Sequence, residues 1–163
     1  MKNYPVTYVQ SVEDFEYILE CFEDMEFIGF GGDIKKRRAF AEKQVENGYV
    51  LAVYHEGAPI GFLSFYSNDM VTKRAYVTAL AVDENLGLLK GLVLFSLLES
   101  GVKTAMDCGM ENVRIEVAKD NVTARNLYEN LGFSYLPEER NQNVYMETMF
   151  KDLWERIHKR KGR

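Results

Sequence analysis

The sequence predicts one α/β domain, in which helices cover a mixed, partly antiparallel central sheet of about six to seven strands. Two observations predict this class. Segments with the hydrophobic periods of strands and helices follow one another in the order β-α-α-β-β-β-α-β-α-β-β. Three consecutive strands are joined by turns, as in antiparallel pairs, whereas the later β-α-β stretches require parallel strands and crossovers. A mixed sheet flanked by helices satisfies both kinds of connection.

The first third of the chain predicts a strand and two helices. A strand is expected at residues 6–9, and Ser11, which is followed by acidic residues, is a typical helix N-cap. A second helix is expected at residues 34–46, and Asn47-Gly48 is a typical end for it. The buried stripe of the first helix is predicted to contain Phe15, Ile18, Leu19 and Phe22.

The rest of the chain begins with a hairpin and then alternates between strands and helices. Residues 49–55 and 60–67 are rich in β-formers and are joined by the turn sequence EGAP, which predicts an antiparallel pair. The later elements are expected as a strand at 74–82, a helix at 91–107, a strand at 112–117, a helix at 121–131, and strands at 133–136 and 143–150.

The composition argues against several classes of protein. A hydrophobic fraction of 47% with only three prolines argues against disorder, and no apolar run reaches the roughly 18 residues of a membrane span. The first residues lack the apolar core of a signal peptide. Two cysteines, Cys21 and Cys108, are too few for a disulfide framework or a zinc cluster, and His55 and His158 are isolated. We therefore expect reduced thiols, a cytoplasmic location and no metal site.

The net charge of −5 is distributed unevenly along the chain. Residues 151–163 hold six Lys/Arg and two Asp/Glu, a local charge of +4, so the first 150 residues carry −9. This distribution predicts one domain at 1–150 and a basic helical tail at 151–163, with cationic partners favoured over nucleic acid. The apolar side of the tail, with Trp154 and Ile157, is expected to pack on the domain or on a second subunit, which leaves a homodimer open.

The segment DNVTARNLYENLGF, residues 120–133, carries the most specific pattern. After a strand that ends in Glu-Val, it supplies Asn121, Ala124, Leu127-Tyr128 and Gly132-Phe133. This spacing, together with the order of the elements, resembles the GCN5-related N-acetyltransferase (GNAT) superfamily. The resemblance implies an N-acetyltransferase that uses acetyl-CoA as acetyl donor and an amine of a small molecule or peptide as acceptor.

The resemblance also implies roles for residues on two elements. Tyr128 corresponds to the tyrosine that protonates the departing thiolate, while Asn121 and Ala124 belong to the cofactor-binding pattern. The alternative for Tyr128 is simple packing in the core. The strand at 74–82 resembles the family strand whose backbone pairs with the pantetheine arm, which makes Leu80, Ala81 and Val82 candidate cofactor contacts.

The segment that should bind the pyrophosphate departs from the family pattern Arg/Gln-x-x-Gly-x-Gly/Ala. Leu88 stands in place of Arg/Gln and Val93 in place of the last small residue. Three interpretations remain open: weakened but retained binding, poor or absent binding because bulky side chains block the approach, and an ordinary loop before a buried helix. Under the first, the amides and the Lys90 charge hold the phosphates, with contacts at Leu89, Lys90, Gly91, Leu92 and Val93.

The general base and the acceptor pocket are less specified. Glu116 lies twelve residues before Tyr128, as in the GNAT branch that acetylates protein N-termini, where a glutamate at this place is taken as the base. The alternatives are a structural ion pair with Lys or Arg, or an amine that reacts without assistance. The pocket is expected between the first two helices and the late hairpin, with acidic Glu23, Asp24, Glu26 and Asp33 and with walls of Phe27, Phe30 and Tyr145.

Overall fold

The computed structural model describes residues 3–25 and 30–161, the last two by their backbone alone. It contains one seven-stranded sheet in the order β1-β2-β3-β4-β5-β7-β6, which confirms the predicted mixed α/β class. Only β4 and β5 pair in parallel, and all other neighbours are antiparallel. The elements are β1 (Thr7–Tyr8), α1 (Val12–Cys21), α2 (Ile34–Asn47), β2 (Tyr49–His55), β3 (Ala58–Tyr66), β4 (Arg74–Val82), α3 (Leu89–Asp107), β5 (Asn112–Ala118), α4 (Val122–Asn130), β6 (Ser134–Arg140), β7 (Asn143–Met149) and α5 (Phe150–Lys161).

The two faces of the sheet are covered unequally. On one face, α1 and α2 pack over β2 and β3, where Phe15 and Phe62 meet edge to face at 5.7 Å between ring centroids. On the other face, α3, α4 and α5 bury the alternate residues of β5, Val113, Ile115 and Val117. The first face is therefore open over β4, β5 and β7, and the polar residues of these strands face a cavity there.

A buried polar cluster holds a bulge in β4. The pairing of β3 with β4 shifts between Ser64 and Phe65, which leaves Thr78 as the extra residue. The Thr78 hydroxyl donates to Oε1 of the fully buried Gln44 at 2.8 Å and accepts from the Ser64 hydroxyl at 2.6 Å. The Gln44 Nε2 donates to the carbonyls of Tyr49 at 3.1 Å and Phe65 at 3.0 Å, so both ends of this buried amide are satisfied. Because bulges increase the twist of a strand, this cluster directs the second half of β4 away from its neighbour.

We expect Gly48→Ala to destabilise the protein through this cluster. A Cβ at Gly48 would lie 2.6 Å from Gln44 Nε2 and 2.6 Å from the Phe65 carbonyl oxygen. Overpacking of this kind typically costs about 1–3 kcal/mol, which urea unfolding will measure. The matched control is Gly91→Ala on α3, where a Cβ meets nothing within 4 Å and alanine should add up to about 1 kcal/mol. Equal unfolding free energies for the two variants would contradict this account.

The C-terminal helix α5 packs on the body of the domain. Leu153 and Ile157 are buried in the core under α3 and β7, and Trp154 packs against the same cluster. On α5, the His158 Nε2 lies 3.0 Å from Oε2 of Glu99 on α3. The tail therefore begins directly at the end of β7 and contributes to the core. Among the helices in the described ranges, none has the length and apolar character to cross a membrane.

Candidate active site

A gap opens between the two parallel strands. β4 and β5 pair from Arg74 with Asn112 to Val77 with Ile115, and the pairing then stops, although β4 continues to Val82 and β5 to Ala118. Over the second half of β4, the β3 side remains paired, from Ser64 with Ala79 to Gly61 with Val82. The β5 side of residues 78–82 thus presents peptide groups with no strand partner. An extended ligand with amide groups fits such an edge as an additional strand.

Two helices begin at the open end of the gap. Since β4 and β5 are parallel, their carboxyl ends lie at the same edge of the sheet, and α3 follows β4 while α4 follows β5. Ligands of α/β sheets bind outside the carboxyl ends of parallel strands, and helix N-termini attract anions through free amides and the helix dipole. The gap, the start of α3 and the start of α4 therefore form one candidate ligand site.

The start of α3 limits which amides can act as donors. Because α3 begins at Leu89, the helix itself satisfies the amides of Leu92 and Val93, which we had predicted as phosphate donors. The amide of Lys90 bonds to the Gly87 carbonyl at 3.2 Å. The Val93 side chain is fully buried against β3, so it neither contacts a ligand nor blocks one. The remaining candidate donors are the amides of Leu88, Leu89 and Gly91, with the half-buried Lys90 side chain beside them.

The loop before α3 contains a residue with a positive φ angle. Gly87 has φ of +59°, a conformation that glycine adopts at no steric cost. Leu88 follows as the N-cap, with no side-chain hydrogen bond, and it is fully exposed. The Leu88 position, where the family pattern has Arg or Gln, thus points an apolar side chain into solvent. Among the described residues, no polar side chain caps this helix end, which leaves the amides of Leu88, Leu89 and Gly91 available to a ligand.

Tyr128 lies in the core close to the gap. Its side chain is 6% exposed and packs edge to face on Phe133, with ring centroids 5.2 Å apart. It lines a small apolar cavity of about 40 Å³ together with Val77 and Leu80 of β4. The hydroxyl has no hydrogen-bond partner within residues 3–25 and 30–159. Burial raises the pKa of Tyr128 above its ordinary value of 10.0, so the phenol stays protonated and can donate.

Asn121 and Ala124 build the first turn of α4. The Asn121 Oδ1 accepts from the Ala124 amide at 3.2 Å, which caps the helix. The helix ends before Gly132, whose φ of +92° reverses the chain toward β6. The spacing of the segment therefore has a structural explanation at both ends, and Tyr128 is held about two turns in from the cap.

Glu116 lies on the open face of the sheet, opposite to the face that buries Tyr128. Its carboxylate accepts from the Tyr76 hydroxyl at 3.2 Å and from the Asn143 side-chain amide. In the described part of the chain it has no ion pair with Lys or Arg, so the predicted alternative of a structural pair is not observed. Burial, and then the Glu116 carboxylate, raise the pKa of Tyr76 above 10.0, which keeps its hydroxyl a donor to Glu116.

A cavity of about 500 Å³ lies on this face in front of Glu116. Tyr145 lines it, as expected for an acceptor pocket, but Phe30 does not, because it packs on Phe40 at 5.5 Å between ring centroids. The acids Glu23, Asp24 and Asp33, which were expected there, do not line it: Asp33 caps α2, Glu23 lies 4.0 Å from Arg37, and Asp24 is exposed. The expectations for Glu26 and Phe27 lie outside the described residues. The lining consists of Tyr66, Asn68, Asp69, Arg74, Tyr76, Arg114, Glu116, Arg140 and Tyr145.

Sequence reasoning missed the residues that position Glu116 and the gap. Tyr76 and Asn143 hold the carboxylate from the two neighbouring strands, and Gln44 and Thr78 hold the bulge. The alternation of β5 did place Glu116 on the polar face, but strand register, which the sequence does not specify, decides its partners. One sequence signal for this buried cluster was available: Gln44 lies on the inner side of the largely polar helix α2.

The open parallel pair, with helix N-termini at its carboxyl end, defines a fold in which an extended ligand is held between two strands. The sequence model of the Acetyltransferase (GNAT) family matches residues 12–133. The chain belongs to the GNAT acetyltransferase family. A search of curated protein sequences found no significant match to it.

Solved structures share this fold at low sequence identity. A GNAT-family acetyltransferase described as putative, from Desulfovibrio desulfuricans, superposes with a TM-score of 0.71 and 14% identity, over 90% of this chain and 99% of that one. The ribosomal-protein-S18-alanine N-acetyltransferase of Escherichia coli gives 0.69 and 20%, over 90% and 94%. The PaiA N-acetyltransferase of Thermoplasma acidophilum, solved in complex with coenzyme A, gives 0.66 and 16%, over 89% and 99%.

Proposed function

We propose that this protein transfers an acetyl group from acetyl-CoA to the amine of a small molecule or peptide by direct attack. The observation that carries the proposal is the unpaired edge of β4 over residues 78–82, which lies between Tyr128 on one face and Glu116 on the other. A thioester held in this gap is accessible from both faces. The amine then approaches from the open cavity, and the thiolate leaves toward α4.

The pantetheine arm is proposed to pair with the backbone of Leu80, Ala81 and Val82, and the pyrophosphate to lie at the start of α3. Leu89 and Gly91 offer amides there, and Lys90 offers a positive charge in place of the family arginine. A peptide N–H aimed at the acetyl carbonyl oxygen stabilises the charge that develops on it. Acetyl-CoA supplies the activated acetyl group, while the protein supplies position and hydrogen bonds.

In this proposal, Glu116 and Tyr128 handle protons on opposite faces of the sheet. An ammonium acceptor has a pKa near 10.4 and must lose one proton before attack, through water to Glu116 and on to solvent. As the C–N bond forms and the C–S bond breaks, the nitrogen loses its second proton. Tyr128 donates a hydrogen bond and then its proton to the thiolate, and it is reprotonated from that second proton. The products are the amide, coenzyme A and one released proton.

A second candidate is a GNAT-like domain that has lost turnover and acts as a binding or regulatory module with weak or no coenzyme A affinity. The observation that favours it is the fully exposed Leu88 at the position where the family pattern has Arg or Gln. Thermal denaturation with acetyl-CoA and with coenzyme A separates the two candidates. We expect stabilisation by both ligands, whereas no shift at millimolar concentration would exclude the enzyme.

We expect Lys90→Ala to weaken coenzyme A binding in a salt-dependent way. Removing a partly solvated point charge beside the phosphates should raise the dissociation constant about 3- to 10-fold at low ionic strength, and less above about 0.5 M salt. Calorimetric titration at two salt concentrations will measure this, with Lys103→Gln on the exposed side of α3 as the control. An affinity that is unchanged at low salt would show that Lys90 does not contact the phosphates.

A further inference from the structure

Three arginines face the cavity that contains Glu116. Arg74 comes from β4, Arg114 from β5 and Arg140 from the end of β6. The lining also contains the acids Asp69 and Glu116, so the arginines leave an excess of one positive charge, against a net charge of −5 on the whole chain. The net charge of the whole chain therefore does not predict the charge of the residues that line this cavity.

Two of these arginines share a single carboxylate. Arg74 Nε lies 3.3 Å from one oxygen of Glu147, and the Arg114 Nη2 lies 3.0 Å from the other. The same Nε also lies 3.3 Å from the Asn112 side-chain oxygen, and no further side-chain bond of Arg74 is formed to the described residues. Both terminal nitrogens of Arg74 thus keep free donors within the described residues. The side chains of Arg74 and Arg114 are only 31% and 23% exposed, so water satisfies these donors incompletely.

Arg140 has no ion pair or side-chain hydrogen bond to any residue in the described ranges. Its charge nevertheless reaches the site, because it acts to lower the pKa of Tyr76, against the larger effect of burial. The other acid of the cavity, Asp69, forms no ion pair with Arg140 among the described residues. Both Asp69 oxygens are engaged by the turn that follows, through the amides of Val71 and Thr72 and the Thr72 hydroxyl.

The strand register places Arg140 close to the proposed base. Arg140 pairs with Asn143 on β7, and the Asn143 side chain donates to Glu116 on β5. Neighbouring strands are about 4.8 Å apart, so two strand spacings, about 10 Å, separate β6 from β5. A guanidinium on a long side chain can therefore bind an anion a few bonds away from an amine at Glu116.

We propose that the acceptor is a primary amine that carries a carboxylate a few bonds from its amino group. The amine lies at Glu116 and the carboxylate binds Arg140, with the spare donors of Arg74 and Arg114 adding attraction. A guanidinium binds a carboxylate through two parallel hydrogen bonds, which fixes both its position and its orientation. This inference rests on the proposed acetyl transfer, and it replaces the cationic acceptor that the acidic composition predicted.

The test compares amino acids with their amides. Glycine, β-alanine and γ-aminobutyrate are each paired with the corresponding primary amide, and kcat/KM with acetyl-CoA is measured for every member. In at least one pair the carboxylate form should react about 10-fold faster or more, as expected for a charge-assisted hydrogen bond. Arg140→Gln should remove this preference by slowing the reaction of the carboxylate member. Lys103→Gln, which removes one positive charge on the other face, should leave the preference unchanged.

A second readout separates this inference from the proposed function. The thermal shift of the protein saturated with coenzyme A is measured with the same pairs, since it reports binding without turnover. Arg140-dependent stabilisation by the carboxylate members, with no acetylation of any amine tested, would support a binding site for amines that carry a carboxylate and count against acetyl transfer to them. Equal rates and equal shifts for acids and amides, or a preference that Arg140→Gln leaves intact, would overturn the inference.

Discussion

Tyr128→Phe should lower kcat about 100-fold while coenzyme A affinity stays within about 2-fold, since a general acid contributes about 10²–10⁴ to the rate. The variant should fold as stably as the parent, because the hydroxyl has no hydrogen-bond partner within residues 3–25 and 30–159 whose loss would cost stability. A phenylalanine keeps the packing on Phe133. Steady-state kinetics, calorimetry and thermal denaturation of one preparation measure all three quantities.

The control for this substitution is Tyr135→Phe. Tyr135 also carries a phenol close to α4, but it is exposed on β6 and bonds to Arg125 and Glu129. Its removal should leave kcat within about 2-fold. Parallel loss of kcat and of coenzyme A affinity in Tyr128→Phe would instead indicate that Tyr128 serves packing alone.

Glu116→Gln should lower kcat/KM about 100-fold at pH 7, which is the typical contribution of a general base. Glutamine retains an oxygen to accept from Tyr76, and its new NH2 group can donate to Asn143 once the Asn143 amide turns over, so the change removes mainly the base. The deficit should shrink as the pH rises. The neutral fraction of an amine with a pKa near 10.4 increases about tenfold per pH unit, and a neutral amine needs no base.

A pH profile of kcat/KM from pH 6 to 10 measures this dependence. Glu111→Gln provides the control, because Glu111 is an exposed carboxylate just before β5 that only pairs with Lys73 at 3.6 Å. The control should match the parent across the range. A loss that stays constant with pH would mean that Glu116 orients the acceptor or the strand and does not accept its proton.

The sequence predicted most of the fold because its capping residues and glycines mark the ends of helices. Ser11 and Asn121 cap helices as expected, and Gly132 ends α4. Helix α3 begins two residues before the predicted start, at Leu89, because no side chain marks that end. That small difference matters for the site, since it places the amides of Leu92 and Val93 inside the helix.

The site could be predicted only where local pattern determines position. The spacing of residues 120–133 indicated Tyr128 because a helix fixes the relation of its own residues. The partners of Glu116 come from two other strands, and the bulge at Thr78 depends on Gln44, more than thirty residues earlier. The grouping of three arginines in the cavity was equally hidden, since strand pairing alone brings Arg74, Arg114 and Arg140 together.

The central claim is that the unpaired edge of β4 holds an acetyl-CoA arm between Tyr128 and Glu116. A crystal structure with coenzyme A tests it most directly. We expect the pantetheine amides to pair with the backbone of residues 80–82, the phosphates to lie at the start of α3, and the sulfur to lie within hydrogen-bond reach of the Tyr128 hydroxyl. Coenzyme A bound elsewhere, or a sulfur out of reach of that hydroxyl, would contradict the account.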